Sequence, residues 1–158
     1  RRQFSGTLVY LIKDGQVLLL RRIKKKNDTH EGKYVGLGGK LEAGESPLEC
    51  AIREVREESG LEIRPENMRF KGHINCPQFD RAGNDWMVYV YLATDYTGDL
   101  LTDCPEGFLE WISWDRIRDV PMWEGDYLFL ARLLEDKTFD MTVHYDGDKL
   151  SDHRLELL

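Results

Sequence analysis

The segment Gly39–Leu61, GKLEAGESPLECAIREVREESGL, constrains the chain most, because it reads as a helix with three carboxylates crowded onto one side. Ser46 suits an N-cap, Pro47 the first helical position and Glu49 the partner in a capping box. Gly60 stands where a left-handed C-terminal cap is wanted, so the predicted helix covers Pro47–Ser59. Leu48, Ala51, Ile52 and Val55 recur at helical spacing and form the face expected to be buried. Glu54, Glu57 and Glu58 share another face, expected to point toward a solvated cleft. Like charges at that spacing repel. The residues alone leave two readings open, a plain acidic helix face or a site for a cation. All-oxygen ligands suit Mg²⁺ or Mn²⁺ rather than zinc. Arg53, one turn before Glu57, can hold that side chain in place.

Elsewhere the patterning alternates between strands and short helices. Thr7–Ile12 and Val17–Arg21 read as strands joined by an Asp14-Gly15 turn. A polar loop, Asn27–Lys33, leads to Gly36, Gly38 and Gly39, which permit close backbone approach to phosphate or metal. Arg69–Ile74, Trp86–Thr94 and Gly107–Ser113 read as further strands, with an irregular loop at Asn75–Asp85. Asp115–Asp119 and Gly125–Leu134 are read as helices, the latter on the spacing of Leu128, Ala131 and Leu134. Thr142–Tyr145 and Lys149–Leu155 flank a second hairpin turn at Asp146-Gly147.

A chain of 158 residues with a 41% hydrophobic fraction suits one domain, residues 1–158, around one real core. No apolar run has membrane-spanning length and no signal-peptide pattern is present. Cys50, Cys76 and Cys104 are widely spaced and odd in number, which favours free thiols and a cytoplasmic location. The formal net charge of −7 argues against a nucleic-acid polymer as partner. An anionic phosphate is still compatible with such a chain if divalent ions invert the local field. The run Arg21-Arg22-Ile23-Lys24-Lys25-Lys26 is either a solvated loop or a contact for a phosphate tail, with Lys25 the representative candidate.

Gly39, five residues, Glu45, seven residues, then Arg53 through Leu61 (REVREESGL) resembles an unbroken Nudix box. That family consists of Mg²⁺-dependent hydrolases of nucleoside diphosphates linked to another moiety. The resemblance implies an α/β (α+β) fold, a mixed β-sheet sandwiched between helices. It implies Glu54, Glu57 and Glu58 as metal carboxylates, with Glu45 and the Gly39 carbonyl completing or supporting the site. Arg53 would orient a glutamate. The stretches GKYVGLGGKLEAGE, LEWISWDRI, MWEGDYLFLARLLEDKTF and HYDGDKLSDHRLEL are similar to the MutT/MutX branch, and the likeness runs from about Gly6 to Leu157. Members of that branch hydrolyse oxidised purine nucleoside triphosphates, notably 8-oxo-dGTP, to the monophosphate and pyrophosphate.

The resemblance extends to individual positions. Glu106 corresponds to an extra carboxylate that binds a second metal or helps to activate water; its other reading is a surface glutamate. Trp123 and Asp126 fall where mammalian relatives carry an aromatic and acidic residues at the purine pocket. Trp123 can stack on a purine or simply pack in the core, while Trp111 and Trp114 are read as core. Val35 departs from the branch, standing where the mammalian enzymes place a base-reading asparagine. Base choice is then expected to lean on Asp126, backbone groups or the Asn75–Asp85 loop, with Phe79 singled out. Water would attack a bridging phosphorus with Glu57 or Glu106 as the base. The cofactor expected is Mg²⁺, with Mn²⁺ able to substitute, and the assembly a monomer or homodimer. Other readings are hydrolysis of ADP-ribose, a dinucleoside polyphosphate or dihydroneopterin triphosphate, a ligand-sensing module without catalysis, and removal of a 5′ pyrophosphate or cap from RNA.

Overall fold

Val17, Leu18, Leu19 and Leu20 are consecutive apolar residues, and all four are fully buried because their strand is covered on both faces. They belong to β2 (Gln16–Arg22), which follows β1 (Gln3–Lys13). The Asp14-Gly15 turn between them takes positive φ at both residues, 53° and 75°, as a tight hairpin requires. The computed structural model describes residues 1–158. After β2 come β3 (Tyr34–Val35), α1 (Pro47–Ser59), β4 (Met68–Cys76), β5 (Asp85–Ala93), β6 (Asp103–Cys104) and β7 (Gly107–Ser113). The chain ends with α2 (Glu124–Leu130), β8 (Phe139–Asp146) and β9 (Lys149–Leu157), and has short 3-10 turns at Pro65–Asn67 and Trp114–Asp119.

The strands form one sheet in the order β6-β7-β2-β1-β5-β4-β8-β9, with β3 attached to β2. The β1–β5 and β4–β8 pairs are parallel and the others antiparallel, so the sheet is mixed. Alternation along the strands divides the core in two. Val9, Leu11, Leu18 and Leu20 meet Ala51 and Val55 of α1 on one face. Tyr10, Val17 and Leu19 meet Phe129 and Leu130 of α2 on the other. This is the expected α+β sandwich, with a buried cluster on each side instead of one. No helix is long and apolar enough to cross a membrane.

Helix α1 has the expected limits because its ends are closed locally. The Glu49 N–H donates to Ser46 Oγ at 3.1 Å, and the Ser46 N–H donates to Glu49 Oε1 at 3.0 Å. Gly60, at φ 77°, donates to the Arg56 carbonyl. Its carboxylates do not share one environment, however. Glu57 is exposed, whereas Glu58 lies inside at 7% exposure, so the expected solvated face holds for only part of the trio.

Other departures also have local causes. The predicted Gly125–Leu134 helix stops at Leu130, where Arg132 and Leu133 donate to Phe129 and Leu130 in tighter three-residue turns. That tightening buries Leu133 and leaves Leu134 57% exposed. Asp115–Asp119 is 3-10 helix beginning at Trp114. The C-terminal hairpin starts at Phe139, not Thr142, because β8 adds to β4 in parallel through Phe139–Thr142. All three cysteines are free and buried.

Replacing Ser46 with Ala removes one half of the reciprocal cap. We expect a loss of about 1 kcal/mol, read as a lower urea midpoint at unchanged m-value.

Candidate active site

The backbone at Gly38-Gly39 and the side chains of α1 interlock without room to spare. A Cβ on Gly38 would lie 1.9 Å from the Thr7 carbonyl oxygen, and one on Gly39 would lie 2.7 Å from the Glu54 carboxylate carbon. Only glycine allows this approach. It lets the Gly38 N–H donate to Glu58 Oε1 at 2.8 Å, which holds that carboxylate beneath the loop. The Gly39 carbonyl accepts from the Thr7 N–H at 2.9 Å and from the Cys50 thiol at 3.6 Å.

Arg53 organises the remaining carboxylates. Its Nε and Nη2 donate to the two oxygens of Glu45 at 2.6 and 2.9 Å, a forked pair. Its Nη1 donates to Glu54 at 2.7 Å and to Glu57 at 3.1 Å, and Nη2 also reaches the Lys40 carbonyl at 3.2 Å. Arg53 therefore holds Glu57, as its spacing suggested, but its shortest contacts are to Glu45 and Glu54. The guanidinium hydrogen bond holds the Glu45 carboxyl down at about 2. Burial pushes Glu58 up to about 8, with the charges of Glu54 and Glu106 adding to the rise. Glu54 is also raised, first by burial and then by Glu57 and Glu106.

The expected metal set of Gly39, Glu54, Glu57, Glu58 and Glu106 is not drawn together as a finished cage: no three acidic, histidine or cysteine side chains converge on one point. Arg53 takes up oxygens of Glu54 and Glu57, and Glu58 is turned toward Gly38. The donors nevertheless fit a hard divalent cation. They are carboxylate oxygens, Glu58 is buried and Glu54 mostly covered at a cost visible in their raised proton affinity, and they repel each other. A cation would relieve both penalties. Glu106 is near enough for its charge to act on Glu54 and Glu58, and it also faces Lys25 Nζ at 3.7 Å.

A cavity of about 390 Å³ opens beside this cluster, reaching it along Gly38 and Gly39. Val35, Phe79, Trp123 and Asp126 all line it, but Lys25 does not. Lys25 belongs with Glu106 at the carboxylate end. The ring centroid of Trp123 lies 4.8 Å from both Phe79 and Tyr145. Trp123 is 5% exposed within the core and also walls the cavity. Lys33 Nζ sits 4.2 Å over its ring. Val35 offers the cavity only apolar surface, as its side chain dictates. The Asp126 carboxylate has no hydrogen-bond partner, and burial pushes it up to about 7.

Sequence reasoning passed over three residues here. His30 and Tyr145 line the cavity, and the Tyr10 hydroxyl lies buried behind Gly36 with no partner. His30 comes from the loop read only as polar, and Tyr145 from a strand read only as a hairpin arm. Neither position has a periodicity or spacing that marks it, since each reaches the cavity through long-range packing.

The NUDIX domain model matches residues 3–133. The chain is 34% identical over 138 residues to the Nudix hydrolase YvcI of Bacillus subtilis, covering 84% of each. It is 31% identical over 153 residues to the oxidized purine nucleoside triphosphate hydrolase of Danio rerio, covering 95% of this chain and 92% of that one. The crystal structure of the mutator MutT protein from Bacillus halodurans superposes with a TM-score of 0.85 at 34% identity, covering 97% of each chain.

Asp126 generates a pH-dependent expectation. Its folded value, about 7, lies above its ordinary 3.8, so ionisation disfavours the fold as pH rises between these values. Asp126→Asn is expected to be more stable than the parent at pH 8, with the advantage shrinking toward pH 4. Urea midpoints across that range measure it, and a pH-independent difference would refute the assignment.

Proposed function

The chain belongs to the Nudix hydrolase family, in its MutT-like branch, and on that premise we propose that it hydrolyses a purine nucleoside triphosphate, oxidised forms such as 8-oxo-dGTP included, to the monophosphate and pyrophosphate. The observation that carries this reading is the continuity of two unlike spaces. An aromatic-walled cavity with a partnerless carboxylate runs along Gly38-Gly39 into a cluster of acidic side chains. A flat, mostly apolar base suits the first, and a triphosphate accompanied by cations suits the second. The relative in Danio rerio, named for oxidised purine nucleoside triphosphates, supports the same substrate class.

Glu54, Glu58 and Glu106 are the side chains that would hold Mg²⁺, with Glu57 and the Gly39 carbonyl beside them. When bound, the ion supplies charge neutralisation on the phosphates and acidifies a water. The chain's own groups do the rest. Arg53 is a positioning residue that keeps Glu45, Glu54 and Glu57 in fixed relation. Glu57, exposed and held at 3.1 Å by Arg53, is the base we assign to the attacking water. Phe79 and Trp123 confine the base, and Asp126 accepts from its N–H edge. Lys25, 3.7 Å from Glu106, would meet the phosphate tail. Residues 1–158 would work as one domain, since a single sheet joins β1 to β9.

Turnover of 8-oxo-dGTP, dGTP and ADP-ribose, compared side by side with Mg²⁺ and with products identified, tests the substrate. Monophosphate and pyrophosphate from the purine triphosphates are expected; preference for ADP-ribose, or release of single phosphate, would displace the proposal. Glu57→Gln is expected to lower kcat by at least about 100-fold, the scale of general-base catalysis, while leaving the thermal midpoint nearly unchanged. Near-normal turnover by that folded variant would remove Glu57 from its role. Chelation of divalent ions should abolish turnover reversibly.

A further inference from the structure

Val35 leaves a gap in the chemistry of the cavity, because an apolar wall cannot hydrogen-bond a base. We propose that His30 fills it, its Nε2–H donating to an exocyclic oxygen of the purine.

The proton's position follows from the neighbour. Trp123 Nε1 lies 2.8 Å from His30 Nδ1. An indole N–H can only donate, so Nδ1 accepts and the proton of the neutral ring sits on Nε2. The ring is neutral because burial, reinforced by Arg22, lowers its proton affinity to about 4 against the opposing pull of Asp28. Nε2 has no partner within the protein, and His30 lines the cavity. The result is an N–H donor of fixed orientation beside the apolar and aromatic surface of Val35, Phe79 and Trp123.

The loop carrying His30 is braced on several sides. Asp28 takes a forked pair from Arg22 at 2.8 and 3.0 Å. Arg22 exchanges backbone hydrogen bonds with Gly32 and Lys33 at 2.7 and 2.9 Å. Phe79 packs 5.8 Å from the imidazole, centroid to centroid, and Lys33 covers the indole. A donor held this firmly loses little freedom on binding, so it discriminates between bases with and without an acceptor. Asp126 accepts and His30 donates, and together they complement a base edge that carries both an oxygen and N–H groups.

The inference rests on the purine reading, and its test separates the two. Calorimetric titration of the protein with product-like monophosphates avoids any need for turnover. Comparing dGMP with the 2-aminopurine deoxyribonucleotide removes the 6-oxygen together with the N1 proton, and comparing 8-oxo-dGMP with dGMP adds the 8-oxygen together with the N7 proton, so the part of each preference that depends on His30 is the readout. The wild type is expected to prefer the oxygen-bearing member of at least one pair. His30→Phe keeps an aromatic ring against Phe79 and should lose that preference by about three- to tenfold, the worth of one net hydrogen bond. Affinity for the other member should stay unchanged. His30→Gln, whose amide can accept from Trp123 and donate to the base, should restore part of it. Equal weakening of both members by His30→Phe, or no preference in the wild type, or no binding of any purine monophosphate, would overturn the role of His30. Hydrolysis of 8-oxo-dGTP without a His30-dependent preference defeats this inference alone. The preference without hydrolysis defeats only the hydrolase reading.

Discussion

The guanidinium of Arg53 is the contact on which the rest of the site depends. It is 14% exposed and binds Glu45, Glu54, Glu57 and the Lys40 carbonyl, joining the loop before α1 to the helix itself. Without it, Glu45, Glu54 and Glu57 would lose their ion-pair partner and repel one another. A planar, permanently charged fork suits this role better than an ammonium, because it satisfies both oxygens of Glu45 while keeping a further edge for Glu54 and Glu57. The same interaction explains why the cage is not closed: oxygens that would face a cation are partly directed to Arg53.

Burial distinguishes carboxylates that the sequence presents as equals. Glu57 faces solvent, Glu54 is mostly covered, and Glu58 is enclosed under Gly38. An enclosed carboxylate beside others holds its proton more tightly, so each member of the cluster has different work available to it. At the far end of the cavity the same physics acts on Asp126 and His30. Desolvation raises one and lowers the other, favouring the neutral form of both. A cavity with apolar, aromatic walls that also presents Asp126 and His30 is suited to selecting among closely similar bases.

Local order was readable in advance, and reach was not. The limits of α1, its capping box and its left-handed glycine follow from residues within four positions of each other. The Asp14-Gly15 turn and the buried run of β2 are equally local. Where prediction slipped, longer contacts had intervened. The pairing of β8 with β4 extended the last hairpin, and turns after Leu130 buried Leu133 in place of Leu134. His30 escaped notice because its partner Trp123 is 93 positions away.

What the sequence determined by itself is the helix, the kinds of side chain it carries and the glycines before it, because backbone propensity and near-neighbour spacing decide these. The tertiary structure decided which glutamate is buried, where the cavity runs and which atoms face it. Those outcomes depend on Gly38 meeting Glu58 and on an indole donating to an imidazole across the fold. Solvent exclusion and hydrogen-bond direction arise only when distant segments come together, and they set the charge and proton position of each group at the site.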